Sequence, residues 1–153
     1  MYTFYLADEN ATEELAARMA VCLIFPLVFT LSGEIGAGKT SFVRALLRGL
    51  GIDGPVKSPT FSLLESYQYK DWQIHHFDLY RIHDETELEY IGFRDFFTQR
   101  AFCCIEWPER APHSLPRVDI HGVLAISGEG RSMSLYPSTG AGEMVLSCLT
   151  DQP

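Results

Sequence analysis

The octet Gly33-Glu34-Ile35-Gly36-Ala37-Gly38-Lys39-Thr40 fits the spacing G-x-x-x-x-G-K-[ST], and it restricts the fold more than any other stretch of the chain. A loop of this kind cradles phosphate only where a buried strand delivers the chain to it and a helix carries the chain away. Both flanks comply. Leu27-Val28-Phe29-Thr30-Leu31 is a short apolar, β-rich run suited to a buried strand. Residues 41–50 carry apolar side chains at helical spacing and stop at Gly51, which can take the left-handed conformation past a helix end.

The remaining segments supply parts for an α/β fold. Residues 8–25 read as an amphipathic helix in which Leu15, Met19, Cys22 and Leu23 share a face. Asn10 and Glu13 are its expected capping pair, and Pro26 ends it. Strands near 61–69 and over 73–79, joined by a turn at Lys70-Asp71-Trp72, predict a hairpin and therefore a mixed sheet. Residues 84–91 read as a short acidic helix capped by Asp84, with Phe93, Phe96 and Phe97 packing the segment after it. Ala101-Phe102-Cys103-Cys104-Ile105-Glu106 is a second strongly apolar strand. Pro108, Pro112 and Pro116 mark a long loop. Residues 118–127 and 131–136 flank Gly128-Glu129-Gly130 as a hairpin, and 139–149 close the chain as a helix. The predicted architecture is a P-loop NTPase-like three-layer α/β sandwich, its mixed sheet parallel at the centre and antiparallel at the edge strands. Residues 1–153 are expected to form one domain.

Composition removes several function classes. Twenty acidic against twelve basic residues give a net charge of −8, which argues against a nucleic-acid surface of the chain's own. Any RNA would be held by something else. Cys22, Cys103, Cys104 and Cys148 contain no CxxC pair, so they read as small buried thiols rather than a disulfide framework or zinc site. The apolar run 20–31 is interrupted by Pro26 and is too short to span a bilayer, and no signal peptide is visible. A cytoplasmic protein without a membrane partner is expected.

The loop chemistry is specific. Gly33, Gly36 and Gly38 let the backbone approach a phosphate with its N–H groups turned inward, and the helix start adds partial positive charge. Lys39 would reach the β- and γ-phosphates and the Thr40 hydroxyl would hold Mg²⁺. A triphosphatase also needs strand-end acids, and Asp78 and Glu106 each end a predicted strand where ligands of open α/β sheets lie. Thr60, between Pro59 and Phe61, is a candidate sensor of Mg²⁺ and the γ-phosphate. Trp107 would pack over the site, gate it, or sit as a core-edge tryptophan. His75 and His76 alternate across a strand, so one of them faces the site, and both read as packed, hydrogen-bonded histidines. Arg81 and Arg94 read as surface residues. The guanine-reading Asn-Lys-x-Asp motif is absent, Asn10 being the only asparagine, so ATP is the expected nucleotide.

With these residues assembled, the chain resembles the TsaE (YjeE) family of bacterial P-loop ATPases. The resemblance rests on the octet 33–40, on Val56-Lys57-Ser58-Pro59-Thr60-Phe61, on His76-Phe77-Asp78-Leu79-Tyr80-Arg81 and on Ile105-Glu106-Trp107-Pro108. Glu87-Leu88-Glu89 followed by Gly92 and Arg94-Asp95 also fits. The pattern departs mildly at Glu34 and Ile35, where Asp and Leu are usual. The resemblance implies a part in placing the threonylcarbamoyl group on the tRNA adenosine beside the anticodon. It implies partnership with a TsaD-like transferase and a TsaB-like subunit, with tRNA met only through that complex, and ATP hydrolysis that resets the assembly between turnovers. It implies that Ile35, Gly36, Ala37, Gly38, Lys39 and Thr40 wrap the phosphates. Thr40 and Glu106 would contact Mg²⁺, with Asp78 a Walker-B-like carboxylate. Glu9, Thr12 and Arg131 would lie towards the base.

Two other uses of a P-loop suit the composition equally well. A small-molecule kinase would need lid arginines, for which Arg110 and Arg117 lie in the proline-rich loop. An ATP-sensing switch would dock partners through the acidic helix or edge strands with negligible catalysis. The joint occurrence of Lys-Ser-Pro-Thr, His-Phe-Asp-Leu-Tyr-Arg and Glu-Trp-Pro favours the ATPase.

Overall fold

A computed structural model describes residues 1–52 and 63–152. The chain runs β1 (Tyr2–Leu6), α1 (Glu9–Cys22), β2 (Leu27–Ser32), α2 (Lys39–Gly49), β3 (Leu64–Tyr69), β4 (Trp72–Asp78) and α3 (Thr86–Tyr90). It continues through β5 (Ala101–Glu106), β6 (Ile120–Ser127), β7 (Gly130–Pro137) and α4 (Gly140–Asp151), with 3-10 turns at Phe93–Phe96 and Pro108–Arg110. The strands join in one seven-stranded sheet ordered β1-β7-β6-β2-β5-β4-β3. β2 pairs in parallel with β5 and β6, and β5 with β4. The pairs β1–β7, β6–β7 and β3–β4 are antiparallel. The parallel centre with antiparallel edges is the predicted mixed sheet.

Side-chain alternation explains the layering. In β5 every residue is buried, as a central strand covered on both faces requires. Phe102 and Cys104 join Leu27, Phe29 and Leu31 of β2 and Ile74 of β4 in a core closed by α1, α2 and α4. Ala101, Cys103 and Ile105 face the other way, into a smaller core with Phe77, Leu88, Phe93 and Ala111. Phe77 lies edge-on to Phe93 and Phe96, at ring centroid distances of 4.9 and 5.5 Å, and stacks with Phe97 at 5.9 Å. The aromatic run read as packing the post-helix segment is the floor of this second layer.

Several local expectations need correction. An additional strand, β1, opens the chain, with Tyr2, Phe4 and Leu6 turned inward while Thr3 and Tyr5 are exposed. This alternation over five residues is the strand signal. α1 is capped by Asp8, whose carboxylate accepts the Ala11 N–H at 2.9 Å, rather than by Asn10 and Glu13. It ends at Cys22, short of the expected residue 25. Before α3, the Asp84 carboxylate accepts the Thr86 N–H, while Glu87 accepts the N–H groups of His83 and Asp84. The helix cap itself is Glu85, which makes no side-chain cap bond, so these bonds close the turn ahead of α3 rather than making Asp84 the expected cap. Trp72 belongs to β4, so the hairpin turn is the tighter Lys70-Asp71 pair, with Lys70 at positive φ.

The cysteines divide into two classes. Cys103 and Cys104 are buried free thiols on opposite faces of β5, as expected. Burial pushes the Cys103 thiol up to about 12 and raises Cys104 as well. Cys22 and Cys148 correct the expectation, because a disulfide joins the ends of α1 and α4 across a sequence separation of 126. Two helix ends lying side by side bring these sulfurs together, which no spacing rule along the chain reveals. Among the described residues, no helix is long and apolar enough to cross a membrane.

Candidate functional site

β2 ends at Ser32, where the chain enters the glycine loop, and α2 starts at Lys39. Gly33 passes so close to β6 that a Cβ there would run into the Leu124 carbonyl oxygen. Gly38 caps α2 at φ 103° in the left-handed region, a conformation that a side chain resists. The loop leads through Gly38 directly into the start of α2, where the macrodipole favours anions.

Lys39 is buried at 5% exposure, and its Nζ donates to the carbonyls of Gly33 at 2.5 Å and Glu34 at 2.9 Å. The same ammonium lies 4.2 Å from the centre of the Trp107 ring. Burial pushes it below the ordinary lysine value, against the opposing charges of Glu106, Glu109, Asp78 and Glu34. Trp107 takes positive φ directly after β5, packs at a 47° tilt against Tyr80 with ring centroids 4.9 Å apart and, with Tyr80, carries Arg110 over the rings. Its half-buried ring packs against the lysine.

The acids arrive by sheet register. Asp78 of β4 sits opposite Glu106 of β5, and Glu106 opposite Leu31 of β2, so both carboxylates emerge beside the loop. Thr40 Oγ1 donates towards Glu106 Oε1 and Oε2 at 2.9 and 3.1 Å. Glu106 is only 1% exposed, and its Oε2 also accepts from His76 Nε2 at 2.5 Å. Asp78 Oδ1 accepts the Tyr80 N–H at 3.1 Å. Burial, and secondarily the charge of Glu106, raise the Asp78 carboxyl above its usual range; the Tyr80 N–H, His76 and Lys39 oppose this. His76 is the histidine that faces the site. His75 points to the other layer, bonded to Ser66 at 2.8 Å and edge-on to Phe96.

Two adjoining clefts share the loop. One of about 260 Å³ is lined by Ile35, Gly36, Gly38, Lys39, Thr40, Ser41, Asp78, Tyr80, Glu106 and Trp107. The other, about 340 Å³, lies between Gly36, Ala37 and Gly38 of the loop and Asp8, Glu9, Thr12, Glu129 and Arg131. Glu9, Thr12 and Arg131 thus meet beside the loop. The overlooked strand explains how: Leu6 of β1 pairs with Arg131 of β7 and delivers the start of α1 to that edge. Thr60, and with it the Lys-Ser-Pro-Thr segment, lies outside the described residues. Arg81, Arg94 and Arg117 are exposed and line neither cleft.

The donor set suits a hard cation beside phosphate. Thr40, Asp78 and Glu106 offer only oxygen ligands. Among the described residues, no cluster of three His, Cys, Asp or Glu side chains could hold a metal unaided. A cation bound here would share phosphate oxygens, as Mg²⁺ at nucleotide sites does.

Arg131 shapes the loop directly. Its Nε donates to the Ala37 carbonyl at 3.0 Å and its second terminal nitrogen to the Gly36 carbonyl at 3.3 Å, tying both loop carbonyls to β7. Arg131→Ala is expected to weaken nucleotide binding by roughly 10-fold or more, the worth of a charged hydrogen-bond pair. Arg131→Lys should restore little of it, since an ammonium cannot span both carbonyls. Fluorescent-nucleotide titration of both variants checks this; wild-type affinity in Arg131→Ala would remove the clamp from the account.

Comparison with known proteins gives consistent results. Residues 6–133 match the family model described as "Threonylcarbamoyl adenosine biosynthesis protein TsaE". A Haemophilus influenzae relative, named tRNA threonylcarbamoyladenosine biosynthesis protein TsaE, is 36% identical over 154 residues, covering 97% of this chain and 98% of its own. A Synechocystis protein of the same name is 39% identical over 113 residues, covering 71% of each. The crystal structure of Bacillus subtilis YdiB superposes with a TM-score of 0.79 at 25% identity, covering 97% of this chain and 93% of that one.

Proposed function

Because this chain belongs to the TsaE family, we propose that it is an ATP-hydrolysing accessory subunit for threonylcarbamoylation of the tRNA adenosine beside the anticodon. The observation that carries the reading is the convergence of Lys39, Thr40, Asp78 and Glu106 on one cleft at the start of α2. Peptide N–H groups from Gly36 to Thr40 bind the phosphates. Lys39 exchanges the Gly33 and Glu34 carbonyls for β- and γ-phosphate oxygens, a short move for a flexible stem. Mg²⁺, when bound, supplies positive charge across the phosphate oxygens. Thr40, Asp78 and Glu106 are the residues that would hold it. Glu106 orients a water and takes its proton as the water oxygen bonds to the γ-phosphorus; the bond from that phosphorus to the bridging oxygen breaks, giving ADP and inorganic phosphate. Base and ribose lie along the second cleft, against Glu9, Thr12 and Arg131.

The partners in this reading are a TsaD-like transferase and a TsaB-like subunit in the cytoplasm, with tRNA reached only through them. Among the described residues, no arginine lines the phosphate cleft, and Arg110 is held against the Tyr80 and Trp107 rings. That favours slow hydrolysis alone and acceleration by a complex, since a supplied arginine raises turnover by about 10³–10⁵-fold. The net charge of −8 agrees with RNA held by another subunit.

The test is ATP hydrolysis by the purified chain, alone and with TsaB and TsaD counterparts plus tRNA. Slow turnover that rises at least tenfold in the mixture and disappears in Lys39→Ala is expected. A rate indifferent to the partners breaks the pathway assignment.

A further inference from the structure

His76 lies opposite Cys104 across the β4–β5 pair, so Glu106, two residues further along β5, is its diagonal neighbour on the same face. The imidazole is fully buried and the carboxylate nearly so. A carboxylate only accepts, so Nε2 carries the proton that it donates to Oε2. Among the described residues His76 Nδ1 has no hydrogen-bond partner, and there the ring's one polar contact is with this acid. Oε2 is thereby held from the protein side, while the Thr40 hydroxyl at the cleft wall reaches both oxygens and is, among the described residues, the one hydrogen-bond partner of Oε1. A glutamate side chain has three rotatable bonds, and a rigid strand cannot fix its end without such a partner.

We propose that His76 is a positioning residue for this site: its Nε2–H locks the Glu106 carboxylate so that Oε1 and the Thr40 hydroxyl present a fixed oxygen pair to a divalent cation at the phosphates. The proposal rests on reading Thr40 and Glu106 as cation ligands. Partners that orient a metal-binding carboxylate carry roughly 10- to 100-fold in metal affinity or activity. His76 lines neither cleft and acts through Glu106.

The experiment measures mant-ATP affinity with Mg²⁺ and with EDTA, and single-turnover hydrolysis, for wild type, His76→Leu, His76→Gln and His76→Asn. His76→Leu should keep wild-type affinity in EDTA, lose the tightening that Mg²⁺ gives, and hydrolyse roughly 10- to 100-fold more slowly. Gln carries an amide N–H out to the position of Nε2 and should recover most of both losses. Asn is one carbon too short and should not. Should His76→Leu fail to fold by circular dichroism, the Gln–Asn contrast decides by itself. In a Glu106→Gln background, His76→Leu should add nothing further, because its role runs through that carboxylate.

Mg²⁺ tightening and hydrolysis left intact in a folded His76→Leu overturn the inference, as does an equal loss of affinity in EDTA, which marks a merely structural histidine. Full additivity with Glu106→Gln overturns it too. A wild-type protein whose nucleotide affinity ignores Mg²⁺ overturns the cation reading of Thr40 and Glu106, and the inference falls with it.

Discussion

Lys39→Ala is expected to lower ATP turnover by about 10²–10³-fold, the loss typical of removing one preorganised donor from developing transition-state charge. Nucleotide affinity should fall about 10- to 100-fold, since a charged hydrogen bond to phosphate contributes about 1.5–3 kcal/mol. The fold should survive. Lys39 gives up solvation by being buried, as its lowered pKa indicates, and its removal cancels that cost as well as the two carbonyl bonds and the Trp107 contact. The net change in melting temperature should stay within about 4 °C. Steady-state hydrolysis, mant-ATP titration and a thermal melt check the three parts. Unchanged turnover would remove the P-loop from the mechanism. Collapse of the fold would make Lys39 a structural residue.

The second large effect concerns which acid aims the water. Glu106→Gln should retain nucleotide binding within about threefold in EDTA yet lose about 10²–10⁴-fold in single-turnover hydrolysis, the range for a positioned general base. Glutamine has the shape of glutamate and can still accept from Thr40, so the wall of the cleft is kept. Its neutrality has a further consequence next door. The Glu106 charge is the second cause, after burial, of the raised Asp78 carboxyl, so Glu106→Gln should shift the Asp78 titration back towards lower pH. Carboxyl-detected NMR reads this directly. Asp78→Asn should cost less hydrolysis than Glu106→Gln. The reverse order would transfer the water-orienting role to Asp78.

Much of this site was legible because its determinants are local. The octet 33–40 fixes its own conformation through glycine and fixes Lys39 and Thr40 at a helix start. Two apolar runs ending in Asp78 and Glu106 pointed to strand ends beside it. What escaped notice depends on contacts between distant segments. β1 has a five-residue alternation that is easily lost before a longer helix, yet its pairing with β7 sets Glu9, Thr12 and Arg131 along one cleft. The Cys22–Cys148 bond depends on where two helices end in space.

His76 makes the division plain. Its two-residue spacing from Asp78 puts both on one face of a strand, and that much follows from the pleat. That this face is the one carrying Glu106, and that the imidazole reaches its Oε2, depends on the parallel register of β4 with β5. The phosphate loop, the strand and helix that flank it, and the acids that end two strands are each written in residues close along the chain. Which strands are neighbours, which face of each meets α2, and therefore which buried histidine holds the glutamate follow from the assembled sheet. Register and packing are set by the whole core at once, through burial that no single segment can complete.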